Sequence, residues 1–378
     1  MITPQNPGEL AEALAQAAAA RRVTGLGGAF TKDRLGGQSP EGALVISTKA
    51  MTRLLRYEPD DLTISVEAGM RWSELTLLLA DNRQMVPLDP PFAAAATVGG
   101  VIAANSSGPR RRLYGTARDL VIGMQFATLE GKLVQTGGMV VKNVAGLDMG
   151  KLLIGSLGTL AALAVVNFKL TPMPAHTRTL VSTFDSLADA IAARDRILTS
   201  VLQPAAIDLL NPAASSRLGR AGHLLMIQAG GSPAVLDRYS QALPGAEPVE
   251  GEAEQTCWEK IREFTPEFLA SHAAGAVVRV ISTLSEMGAV MASLPCPALA
   301  RAGSGICYGY FDDDSAAARW VREGPRGWNA VIEYAPHPRP PGLEQWPNPG
   351  GDFAMMEKIK RMFDPHNLLN PGRLYGRL

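Results

Sequence analysis

Cysteine is scarce in this sequence of 378 residues: Cys257, Cys296 and Cys307 stand far apart, and no pair has C-x-x-C spacing. That excludes a zinc ribbon or an iron–sulfur cluster held by this chain alone, and it removes disulfide stapling, which fits a reducing compartment. An excess of charge is missing too. Lys and Arg total 36, Asp and Glu total 36, and the formal net charge is zero. A nucleic-acid binder working through a general positive field is therefore not expected. Long apolar runs are absent as well. The most apolar stretch, "LLIGSLGTLAALAVV" (152–166), is shorter than the roughly 18 to 20 residues a span requires and is broken by Gly155, Ser156, Gly158 and Thr159. It reads as buried structure, so no integral membrane segment is expected. Near the N-terminus Glu9 and Glu12 stand where a secretory signal would be basic and then apolar. The expected location is cytoplasmic. Histidine is also thin: His176, His223, His272, His337 and His366 are scattered, with no H-x-H or H-E-x-x-H pair, so no metal site is expected.

What is present is an ordinary globular composition, 46% hydrophobic and 19% charged, in a chain long enough for two domains. Helical spacing of Leu10, Ala13, Leu14 and Ala17 marks a first helix, and "ALVISTKAM" and "LTISVEAGM" read as strands. "RWSELTLLLADNRQ" suits a helix with Ser73 at its cap, and "DLVIGMQFATLEGKLVQTG" reads as a hairpin turning at "EGK". Around Pro172 and Pro174 the texture changes to mixed helices and strands, the pattern of an antiparallel sheet covered on one face. The expected fold class is α+β, with domains over 1–172 and 173–335. A proline-rich connector and tail over 336–378 are expected to return to the first domain.

Glycine is concentrated in three places in the first half: "TGLGGAF" (24–30), "TVGGVIAANSSGPRRRLYG" (97–115) and "VKNVAGLDMGKLLIGSLGTLA" (141–161). None is a G-x-G-x-x-G dinucleotide fingerprint, and no phosphate loop of the GxxxxGK[ST] kind occurs. Each cluster adjoins a strand. Backbone amides without side chains in the way form anion nests suited to a pyrophosphate, and three such stretches together suit one long groove. Thr97, Asn105, Ser106 and Ser107 add hydroxyl and amide groups. Arg110, Arg111 and Arg112 either supply charge at the groove edge or form a solvated basic turn.

The wording of these clusters, with "DPPFAAAATVGGVIAANSSG", "GSLGTLAALAVVNFKLTP" and the tail "MEKIKRMFDPHNLLNPGRL", resembles the flavin domain of the vanillyl-alcohol oxidase/PCMH flavoprotein superfamily. Within it, order and spacing are most similar to the glycolate oxidase E-subunit family. The resemblance is strong over about the first 172 residues and the last 25 and loose between them. It implies a two-part PCMH-type FAD-binding domain with an α+β cap. Gly25, Gly27, Gly28, Ala29 and Phe30 would form a first phosphate loop. Thr97, Gly99, Gly100, Asn105, Ser106, Ser107 and Gly108 would contact phosphate and isoalloxazine. Gly155, Gly158, Thr159, Leu160 and Val166 would lie along the adenine and ribose, and Asn370 would approach from the tail. Where parts of the family carry a flavin-tethering histidine this chain has Ala29, which implies noncovalent FAD.

One departure stands out. The superfamily's oxidisers of 2-hydroxy acids share a "GHxGDGNxH" segment, and the corresponding "RAGSGICYGYF" (301–311) has no histidine. A base poised near neutral pH is missing there, and no catalytic residue is assigned. The resemblance implies a subunit working beside a catalytic flavin subunit and an iron–sulfur subunit, oxidising glycolate to glyoxylate as a complex. Any membrane association would be peripheral, at the inner membrane, through those partners. Two alternatives stay open: a standalone FAD-dependent hydroxy-acid or alcohol oxidoreductase, and a non-catalytic subunit that keeps the flavin fold.

Overall fold

The computed structural model describes residues 1–140, 148–324, 327–340, 342–346 and 349–378. The chain divides into two compact units. The first comprises Met1–Ser107, Gly115–Met173 and Asn348–Leu378, and the second Gly108–Tyr114 and Pro174–Pro347.

In the first unit the opening helix, Pro7–Ala19, starts where Asn6 accepts the Glu9 amide at 3.0 Å and Pro7 fills the position whose missing N–H costs nothing. Its apolar stripe, from Leu10 to Ala17, is buried. Strand Thr24–Gly27 pairs in parallel with Leu44–Ser47. A separate five-stranded antiparallel sheet has the order Leu54–Glu58, Thr63–Glu67, Ala162–Lys169, Val121–Ala127, Leu133–Gly137. Thr63–Glu67 and Ala162–Phe168 are buried at every position, which explains the nearly continuous apolar run the sequence shows at 160–168. The last two strands form the expected hairpin, closed by Gly131 at φ +78°. The helix after the second strand runs Trp72–Ala80, but Ser73 does not cap it. The Trp72 amide is drawn to the Ala96 carbonyl, Arg71 takes the extended cap position, and the Ser73 hydroxyl donates instead to Ala94.

The second unit is built on an eight-stranded antiparallel sheet. Its order is Glu247–Val249, His176–Phe184, His223–Gly231, Ala206–Leu210, Ala298–Arg301, Ile306–Phe311, Ala276–Ile281, Asn329–Tyr334. The period-2 alternation sorts its side chains. Ile207, Leu225, Val278, Ala300 and Cys307 face a core shared with helices such as Leu187–Leu198 and Met287–Ser293. Their strand neighbours Asp208, Arg279, Arg301 and Tyr308 face the other way. The α+β architecture with an antiparallel sheet is thus present.

Candidate cofactor site

The three glycine-bearing segments meet in the first unit. Strand Thr24–Gly27 runs into Gly28, and a Cβ built there would lie 2.0 Å from the Thr97 hydroxyl, so the first and second segments touch with no room for a side chain. Thr97 caps the short helix Val98–Ala103, accepting the Gly100 amide at 3.3 Å. Gly99 is pressed on Ala68, whose Cβ would stand 2.8 Å from an added one. The third segment docks on the end of that helix: the Gly155 amide donates to Ile102 at 3.2 Å and the Leu157 amide to Ala103 at 2.9 Å.

The C-terminal tail fastens this assembly. Asn370 accepts the Leu26 amide at 2.7 Å and donates to the carbonyls of Leu26 (3.0 Å) and Leu157 (2.8 Å). Its side chain therefore holds two walls together. Lys360, 3% exposed, donates to Thr159 (2.8 Å), Leu369 (2.8 Å) and the Asp364 carboxylate (2.7 Å), which saturates its three N–H groups. Burial lowers the Lys360 pKa and Asp364 opposes the drop.

Between these walls lies a groove enclosing about 740 Å³ of non-atom space, part of it open to solvent. Gly27, Gly28, Ala29, Phe30, Thr97, Gly99, Gly100 and Gly158 line it. The other residues expected there lie elsewhere. Gly25 is in the strand behind; Asn105 is exposed at φ +46°; Ser106 and Ser107 are half-buried beside the short helix; and Gly108 falls in the second unit. Gly155, Thr159, Leu160 and Asn370 support the wall, and Val166 is fully buried in the sheet core. Residues 141–147, Lys142 among them, lie outside the described residues. Asp148 and Lys151 form an exposed ion pair at 2.8 Å.

The sequence reading missed several lining groups, notably Lys32, Thr48, Leu157 and Arg373. Lys32 is 8% exposed, with its ammonium 5.4 Å from the centre of the Phe92 ring. Arg373 donates from Nη2 to the Lys32 carbonyl at 3.2 Å, while its buried Nε has no hydrogen-bond partner. Burial pulls the Arg373 pKa down, opposed by Asp33. Phe30 and Leu157 are held at φ +55° and +51°, conformations that bulky residues adopt only when the surroundings impose them. A side-chain-free cradle, apolar walls and buried cations with an unused N–H fit a long ligand that is flat at one end and anionic in its middle.

The outward face of the second unit's sheet carries a separate polar cluster. Arg279 pairs with Glu333 at 2.8 Å and Arg301 with Asp208. The Arg301 guanidinium lies over the Tyr308 ring, and Arg111 is electrostatically coupled to all but Asp208. The arginine run is accordingly not a solvated turn. Arg110 reaches Gln228 (3.4 Å), Arg112 reaches the Gly303 carbonyl (3.3 Å), and the three are half-buried on this unit. Burial raises the pKa of both Glu333 and Tyr308. Tyr310 is buried and shares a hydrogen bond with Thr265; Cys307, on the core side, has its thiol pushed up to about 12 by burial. His366 is exposed, and the turn after the last helix is bound instead by Asp364, which accepts the Leu368 and Leu369 amides. Among the described residues no histidine lines the groove, no cluster is placed to hold a metal ion, and no helix is long and apolar enough to cross a membrane.

Most of the groove's lining lies in a stretch that matches an FAD-binding domain. Residues 1–137 match the FAD binding domain family, and residues 347–374 match the C-terminal domain of FAD linked oxidases. Among curated relatives, the glycolate oxidase subunit GlcE of Escherichia coli is 28% identical over 86% of this chain and 85% of its own length. The glycolate oxidase subunit GlcD of Bacillus subtilis is 33% identical over 47% of this chain, a match spanning only 38% of that protein. A mitochondrial D-lactate dehydrogenase [cytochrome] of Arabidopsis thaliana is 26% identical over 89% of this chain and 66% of its length. The fold is shared with an alkyldihydroxyacetonephosphate synthase at TM-score 0.72 and 17% identity, covering 98% of this chain and 75% of that one.

Proposed function

We propose that this chain is the FAD-binding subunit of a multi-subunit oxidase of small 2-hydroxy acids, with glycolate as substrate and glyoxylate as product. The observation that carries the reading is the convergence of three glycine segments and the tail on one groove, in a chain similar along most of its length to GlcE. FAD, when bound, supplies an acceptor for two electrons. The chain's part is to hold it. Gly28, Gly99 and Gly100 offer backbone without side chains, Thr97 fixes the short helix, and Asn370 and Lys360 keep the walls in register. Ala29 gives the groove no tethering imidazole, so the flavin is held noncovalently. Arg279, Arg301 and Tyr308 offer guanidinium and phenol groups of the kind that recognise a carboxylate.

Among the described residues no imidazole lines the groove, so we assign substrate oxidation to the assembled complex, with a catalytic flavin subunit and an iron–sulfur subunit taking the electrons onward. Contact with a membrane would come through those partners. The Arg279–Arg301–Tyr308 face favours a second reading, a chain that oxidises a hydroxy acid alone. Anaerobic addition of glycolate to the purified, flavin-loaded chain separates the two. An unmoved flavin spectrum that bleaches only when the partner subunits are added supports the complex. Bleaching by the chain alone overturns it in favour of the second reading.

A further inference from the structure

The eight-stranded sheet of the second unit has an edge that is only partly covered. Strand His176–Phe184 carries Glu247–Val249 on its outer side, and that short strand pairs only with Thr179, Leu180 and Val181. Pro248, opposite Leu180, has no N–H to give, so the exchange of hydrogen bonds falls to Thr179 and Val181. By the same alternation Thr183 points its N–H and C=O to this outer edge, while Ser182 and Phe184 turn theirs toward His223–Gly231. Among the described residues no strand meets Thr183 there. The chain enters the edge strand only at Glu247, after a turn with Gly245 at φ +82°. Beside this open edge lies a cleft enclosing about 660 Å³ of non-atom space, part of it open to solvent, lined by Ser182, Thr183 and Phe184 and by Arg196 and Arg220. Glu247 is the one carboxylate in the lining, and it is already paired with Arg220 at 2.7 Å. Arg196 is exposed and has no hydrogen-bond or ion-pair partner among the described residues. The cleft thus joins open strand backbone to an uncompensated guanidinium.

We propose that this edge is a docking site for an extended acidic segment of another protein, which adds a strand beside Ser182–Phe184 and sets a carboxylate side chain against Arg196. Main-chain hydrogen bonds to Thr183 hold the segment, and the guanidinium selects acidic over neutral sequences. A bare edge pairs indiscriminately; the flanking cations repel basic strands and favour acidic ones. The lining belongs wholly to the second unit, so the inference does not depend on what fills the cofactor groove.

The test is fluorescence anisotropy of a labelled, amidated peptide, TVEVT, titrated with full-length protein at low and high salt. The comparison probes are TVQVT, TVEVT with N-methylated backbone amides, and glutarate as an unlabelled competitor. TVEVT should bind, more weakly at high salt. TVQVT and Arg196→Gln should each weaken binding about 10-fold, the size of one charge-assisted hydrogen bond. Backbone methylation and Thr183→Pro should each abolish detectable binding. The Thr183 N–H points away from the neighbouring strand, so proline removes the edge donor without breaking the internal ladder. No binding of TVEVT to wild type overturns the proposal, and so does binding that tolerates N-methylation. Glutarate competing as well as unlabelled TVEVT overturns it too, reducing the cleft to a site for small carboxylates. If Thr183→Pro unfolds, Arg196→Gln, a change at an exposed side chain, and the methylated peptide carry the test without it.

Discussion

Gly28→Ala isolates the close approach on which the groove depends. The new methyl would stand 2.0 Å from the Thr97 hydroxyl and 2.9 Å from its Cβ and Cγ2, so Thr97 must move. Two costs follow. Thr97 stops accepting the Gly100 amide, a cap worth about 1 kcal/mol, and the crowding adds about 1–3 kcal/mol. Gly28 does not have a left-handed backbone, so alanine returns about 0.4–1 kcal/mol through the unfolded chain. The net loss is about 1–3 kcal/mol by urea unfolding of the first unit, with a matching loss of flavin retention. A double-mutant cycle tests the cause. In a Thr97→Ala background the 2.0 Å clash is gone, and Gly28→Ala should cost at least about 1 kcal/mol less than in wild type. Additive costs, or full flavin affinity in Gly28→Ala, would refute the idea that the missing side chain is what lets the two segments meet.

Further tests address other parts of the structure. Lys360→Met leaves the Asp364 carboxylate buried without its cation and should destabilise the docked tail by about 3–5 kcal/mol, seen in unfolding and as faster proteolysis near the C-terminus; a loss under about 1 kcal/mol would contradict the staple. His223 has its pKa lowered from 6.5 by burial, with Nδ1 unpartnered, so below about pH 6.5 the unfolded state binds the extra proton and stability falls as pH drops through the folded pKa. His223→Leu should flatten that slope in pH-dependent melting, and an unaltered slope would place its origin elsewhere. Burial pushes the Cys296 and Cys307 thiols up to about 12, so native protein should label slowly with a thiol reagent at pH 8 and denatured protein should label at all three cysteines. Rapid native labelling of either residue would show that it is not buried as described.

Much of this was legible because glycine leaves a mark wherever backbone must approach backbone. Gly28, Gly99 and Gly158 could be picked from the sequence, and the change to mixed helices and strands around Pro172 and Pro174 marked the start of the second unit. What stayed hidden were contacts between residues far apart in sequence. Asn370 bonds Leu26 across 344 positions and Lys360 bonds Thr159 across 201, and no local pattern encodes either partner. Arg373 reads as a tail residue until the fold brings it beside Lys32. The arginine run misled differently: three adjacent cations suggest a solvated turn, but Gln228, the Gly303 carbonyl and a mixed polar cluster with Glu333 and Tyr308 receive them. Ser73 shows that a tertiary hydrogen bond, here from Trp72 to Ala96, overrides a local capping preference.

The most direct measurement is the visible spectrum of the purified chain, followed by denaturation, ultrafiltration and identification of any flavin in the filtrate. A groove that holds FAD noncovalently predicts a band near ~450 nm from the cofactor's own chemistry, with FAD recovered in the filtrate. A colourless protein that takes up no FAD on reconstitution, or a flavin that stays with the denatured chain, would contradict it.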